Sequence, residues 1–174
     1  MSKGFLIALS FLVCGPALAN TQLPAPLLSE APGLRLLGKG EMRWFGLHLY
    51  DATLWSSSRP WSPEQPFALD IEYAREIAGK RLVDSSISEM RRLGVQDEDK
   101  LARWAEALAR VFPDVKKGDR IVGVHLPGKG ASFYHQGQPT GSIDDPEFAE
   151  AFFATWLDPR TREPSLRKAL LGQR

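Results

Sequence analysis

The sequence predicts an α+β domain in which helices cover one face of a mostly antiparallel sheet. Three observations predict it. Phe67, Leu69, Ile71 and Tyr73 alternate with Ala68, Asp70, Glu72 and Ala74, the period of a strand with one buried face. Two stretches of helical spacing follow directly. Beyond them, a glycine-rich turn separates two short apolar runs as in a hairpin. Strands, then helices, then a hairpin and terminal helices make a sheet backed on one side, which leaves its other face free to hold something.

Residues 1–19 read as a signal peptide. Lys3 supplies the positive start, residues 5–13 the apolar run, and Ala17-Leu18-Ala19 a cleavage signal ahead of Asn20. The apolar run is about half the roughly 20 residues a bilayer helix needs, so no stable membrane anchor is expected. A lipobox at Cys14 would want a small residue before the cysteine, where Val13 stands. Export to the periplasm or beyond, with cleavage after Ala19, removes Cys14, the only cysteine. The mature chain then has no thiol for a disulfide, a nucleophile or an iron–sulfur ligand. The formal charge of +1 falls to zero with the loss of Lys3, so no basic field attracts nucleic acid. These exclusions point to a buried small-molecule site.

Residues 20–33, with Pro24, Pro26 and Pro32, read as an extended lead-in to one domain over residues 34–174. From residue 34 to 55 the pattern is that of a strand pair bent at Gly38-Lys39-Gly40. Residues 56–66 hold three prolines and form a loop. After the strand at Phe67, the stripe Val83, Ser86, Ile87, Met90 and Leu93 predicts a helix that Gly94 stops. Asp97 caps a second helix with Leu101, Trp104, Ala105, Leu108 and Phe112 inward, and Pro113 ends it. Residues 121–126 and 131–135 flank Pro127-Gly128-Lys129-Gly130 as a hairpin, and a short strand follows near residues 140–143. Asp145-Pro146 starts a third helix with Phe148, Phe152, Phe153 and Trp156 buried. Pro164 opens a last short helix to Leu171.

The order of these elements carries several local sequences with it: Gly38-Lys39-Gly40 with Arg43, residues 49–55 (LYDATLW), Ala78-Gly79 opening a helix that ends at Leu93-Gly94, and Ala149-Glu150-Ala151 leading to Asp158-Pro159-Arg160-Thr161. Together they resemble the chalcone-isomerase-like family, most of all its exported bacterial branch, over residues 34–171. The resemblance implies an open-faced β-sandwich, related to plant chalcone isomerases and plant fatty-acid-binding proteins. Carried over position by position, the ligand-cleft arginine of the plant isomerases falls on Arg43, and the threonine position reads as Tyr50. The tyrosine position is Leu82, the asparagine position Glu89, and the terminal hydroxyl lies near Glu163. Four of the five groups differ. Because chalcone cyclisation needs donors that hold the ketone and the developing charge, chalcone isomerase activity is not expected.

What remains is a cleft for an apolar ligand with one acidic end. Arg43 would pair a carboxylate and Tyr50 would donate to the same oxygen. Trp44, Tyr50 and Leu54 share one strand parity and would line an apolar wall, with Leu82 and Glu89 from the helix. Arg43 has the opposite parity, so joint action with Tyr50 requires a bulge. His48 shares parity with Tyr50 and would reach the same ligand. His48, His125 and His135 lack the close spacing of a metal set, so no metal or cofactor is expected. Arg160 and Arg162 beside Asp158 read as a local ion-pair cluster. The leading expectation is a non-catalytic binder of a small hydrophobic carboxylate or fatty acid; the sequence assigns no oligomeric state. An isomerase or intramolecular lyase, with Arg43 as electrophile and Tyr50 as acid or base, is the alternative. Haem binding, implied by fungal mitochondrial relatives, is a lesser one.

Overall fold

A computed structural model describes residues 22–173. The alternating run forms β3 (Phe67–Tyr73), and its inward row of Phe67, Leu69, Ile71 and Tyr73 is buried. Around it lie β1 (Arg35–Trp44), β2 (Leu47–Ser56), β4 (Arg120–Leu126), β5 (Gly130–His135) and β6 (Gln138–Ile143). The six strands follow one another in chain order across one sheet, and every neighbouring pair is antiparallel.

Four helices back one face: α2 (Gly79–Leu93), α3 (Glu98–Val111), α4 (Pro146–Leu157) and α5 (Pro164–Leu170). The stripe predicted for α2 is buried along its length, from Val83 to Leu93. The Asp97 carboxylate caps α3 by accepting from the Lys100 backbone N–H at 2.9 Å. Asp145 caps α4 in the same way and also accepts from Trp104 Nε1 at 2.8 Å, so one carboxylate ties the start of α4 to α3. Phe148, Phe152 and Phe153 then pack against Phe133 and Phe67 of the sheet. Burial of each such ring contributes about 1.5–3 kcal/mol.

Three expectations are corrected. The lead-in read as extended forms α1 (Ala25–Glu30), because a proline in the first helical turn gives up an N–H that has no partner there anyway. This helix lies on the face expected to be free. Leu23, Leu27, Ala31 and Leu34 pack on Ala68, Val122, Val124 and Tyr134, the outward row of the same strands. Glu30 anchors it, accepting from Ser132 Oγ at 2.6 Å and from the Tyr134 hydroxyl at 2.8 Å. The chain also does not reverse at Gly38 and Gly40. It turns at Phe45 and Gly46, both with positive φ, as a two-residue hairpin requires. Gly38 instead admits α5, since a Cβ there would lie 2.1 Å from the Ala169 carbonyl oxygen.

Candidate functional site

With α1 on one face, the room for a ligand lies between the sheet and its backing helices. A cavity of about 850 Å³ opens there, within the usual range for small-molecule sites. Leu69, Ile71, Phe133, Phe152 and Phe153 wall its apolar part. Gly123 keeps the floor open, since a Cβ would meet three ring carbons of Phe133 and Phe153 at 3.3 Å each.

The polar groups gather toward one end. Tyr50 and Tyr73 face each other across the β2–β3 pair, with ring centroids 6.1 Å apart. The Tyr50 hydroxyl accepts from Trp156 Nε1 at 2.9 Å. Among the described residues, neither phenol proton has an acceptor. Burial pushes the Tyr50 phenol up to about 12, against the opposing pull of the Trp156 bond, and burial pushes Tyr73 up as well. Both are therefore neutral donors over the physiological range. Arg75 follows directly on this strand end, which is fixed by the Ala74 N–H donating to the Leu49 carbonyl at 2.9 Å. Arg75 and Arg81 line the mouth together with Glu76. Neither guanidinium makes a hydrogen bond or ion pair among the described residues.

The residues singled out from the sequence divide between two places. Trp44, Tyr50, Leu82 and Glu89 line the cavity, whereas Arg43 and His48 do not. The bulge that joint action of Arg43 and Tyr50 demanded is present, with the opposite effect. Met42 pairs with Tyr50 and Arg43 with His48, so Leu49 is the extra residue. Leu49 turns to the cavity beside Tyr50. His48 moves to the far face, where Nε2 lies 3.2 Å from Asp51 Oδ1. Arg43 is exposed there, and its Nε and Nη2 donate to the two carboxylate oxygens of Glu41 at 2.8 and 3.2 Å. Glu41, His48 and Asp51 bring ligand atoms within 4.8 Å of one another, but Arg43 already occupies Glu41.

Glu89, which stands at the asparagine position of the resemblance, bridges Arg92 and Arg162 at 2.8 and 3.1 Å. Arg162 thus pairs across to α2 rather than with Asp158, which holds Arg160 alone. Sequence reasoning missed Tyr73, Trp156, Arg75 and Arg81 as cavity residues. Tyr73 carried a signal: it is the one polar-tipped member of an otherwise apolar inward row. The arginines carried none, because their placement depends on how α2 docks.

A family model described as chalcone isomerase-like matches residues 16–172. A curated protein of Haemophilus influenzae, described as uncharacterized, is 28% identical over 139 residues, covering 79% of this chain and 67% of that protein. Among solved structures, a fatty-acid binding protein of Arabidopsis thaliana superposes with a TM-score of 0.63 at 12% identity, covering 82% of this chain and 88% of that one. At that identity the likeness is one of fold.

Proposed function

This chain belongs to the chalcone isomerase-like family, and on that premise we propose that it is a binding protein whose cavity takes a small apolar carboxylate, such as a fatty acid. The observation that carries the reading is the apolar cavity of about 850 Å³ with two neutral phenol donors that lack acceptors among the described residues. A ligand oxygen placed between Tyr50 and Tyr73 would accept from both phenols. Arg75 and Arg81 at the mouth would supply the charge that a carboxylate needs. The tail would run inward along Ile71 and Leu69 toward Phe153. The fatty-acid binding protein that shares this fold supports the reading by analogy of architecture.

The guanidinium in this account is not Arg43, whose fork is engaged by Glu41 outside the cavity. The same placement weakens the isomerase alternative. Of its two residues only Tyr50 lines the cavity, and a phenol held near 12 donates a proton at neutral pH rather than taking one. Haem binding through Arg43 or His48 is weakened likewise, since neither lines the cavity, and among the described residues no histidine does.

The reading includes export. Residues 1–19 lie outside the described residues; among those described, the first buried side chain is Leu23, which follows the expected cleavage site. The mass of the protein recovered from a periplasmic extract tests it. Binding is tested by native mass spectrometry of protein purified without detergent. Co-purified fatty acid, or one-to-one uptake of added fatty acid, is expected; a chain that remains ligand-free throughout would refute the reading.

A further inference from the structure

The β1–β2 hairpin ends in an apolar point. Trp44 is 59% exposed, Phe45 88% and Leu47 49%, three of the five large hydrophobic residues that are exposed among those described. Phe45 holds this position at φ 47, a left-handed conformation that Asn or Gly adopts at less cost. An aromatic side chain is thus kept at a turn position better suited to others, and it projects into solvent. The point is continuous with the cavity, because Trp44 both lines the cavity and belongs to the exposed cluster. Its edge packs on Phe45 with ring centroids 4.8 Å apart.

Resting on the reading of the cavity as a site for an apolar carboxylate, we propose that this hairpin tip inserts into the surface of a lipid bilayer and sets the cavity mouth against the membrane, from which the ligand is exchanged. Three observations select a bilayer over a protein partner. Three apolar residues are too few for a stable dimer interface, which takes roughly 800 Å² from each partner, whereas an interfacial anchor needs only a few rings. Tryptophan, phenylalanine and leucine are the side chains that settle at the boundary of headgroups and acyl chains. Arg75 and Arg81 stand at the same mouth without partners among the described residues, placed to meet anionic headgroups. Glu76 opposes them there, and Arg43 is neutralised by Glu41, so the apolar tip supplies most of the attraction.

The test is flotation of the mature chain with vesicles of phosphatidylcholine containing phosphatidylglycerol, comparing wild type with Phe45→Asn/Leu47→Ser. Neither substituted residue lines the cavity, and Asn suits the backbone at position 45. Wild type is expected to float with the vesicles, and the double variant to bind at least about tenfold more weakly. Quenching of Trp44 by brominated lipid, judged against Trp44→Phe, is expected to accompany it. Absence of wild-type flotation, or equal flotation of the double variant, overturns the proposal. So does a concentration-dependent dimer that the double variant abolishes, which would make a second copy the occupant. Fatty-acid titration of the same proteins in solution separates the two readings. Retained solution affinity with no vesicle binding defeats the tip alone, and vesicle binding with no fatty-acid affinity defeats the cavity reading.

Discussion

The Trp156 indole donates to the Tyr50 hydroxyl at 2.9 Å, joining α4 to β2 at the cavity wall. The bond uses the acceptor side of the phenol and leaves its proton to a ligand. Tyr73 opposite has no such partner among the described residues, so the two phenols should respond differently to loss of the hydroxyl. Tyr50→Phe strands the Trp156 N–H and is expected to cost about 1 kcal/mol of stability in urea unfolding. Tyr73→Phe is expected to be neutral or slightly stabilising. In fatty-acid titrations each variant should weaken binding about threefold to tenfold. A pair of variants that bind as wild type would remove the phenols from the site.

Arg43→Ala is expected to leave both stability and fatty-acid affinity unchanged, since its guanidinium is exposed and paired with Glu41 away from the cavity. Arg75→Ala/Arg81→Ala should lower affinity severalfold at low salt, with the difference shrinking as salt is raised. Isothermal titration at two ionic strengths checks both. Loss of binding in Arg43→Ala alone would restore the residue that the sequence pointed to.

Gly38→Ala is expected to destabilise by about 3 kcal/mol or more, because the added methyl meets backbone at 2.1 Å from Ala169 and 2.4 Å from Leu170. Gly33→Ala provides a contrast: nothing lies within 4 Å, and only its φ of 82 opposes the change. Chemical unfolding of the two should differ by well over the about 1 kcal/mol that a left-handed alanine costs. Equal losses would mean that α5 does not seat against β1 as described.

His125 is 4% exposed, stacks on Phe67 at 4.7 Å, and has its Nε2 within 3.0 Å of the Pro63 carbonyl, so Nε2 carries the proton and donates. Burial holds the imidazole below its ordinary value of 6.5, against the raising effects of the Pro63 bond and Glu150. As pH falls, the unfolded chain therefore binds this proton first. The stability present above about 6.5 is lost as pH drops below it. Melting temperature should decline between about pH 7 and pH 5 in wild type, and His125→Phe should flatten that decline whatever its baseline. An unchanged slope would place the titration elsewhere.

Much of this architecture was legible because local signals agreed with one another. Alternation at Phe67 to Tyr73, the stripe of α2, and the caps Asp97 and Asp145 each depend on residues close in sequence, and each is found where it was expected. The misreadings depend on contacts between distant segments. Three prolines suggested extension before Leu34, but a six-residue helix forms where Leu27 finds a back-face pocket against Val122 and Val124. Gly38 was read as a bend, while its reason is the approach of α5 from the far end of the chain. The site suffered most from one residue. Strand parity placed His48 with Tyr50, and the bulge at Leu49 reverses every assignment on its far side. Trp44 shares the cavity with Tyr50 only because of that bulge: Trp44 pairs with Leu47, and in an unbroken register Tyr50 would pair with Glu41 on the other face.

The most direct test of the central claim is a fluorescence-displacement titration of dodecanoate and hexadecanoate into the mature protein and into Leu82→Trp, which fills the cavity from α2. The account predicts saturable one-to-one binding by wild type and its loss in the filled variant, with the fold of both preserved by circular dichroism. No saturable binding by wild type, or equal binding by Leu82→Trp, would contradict it.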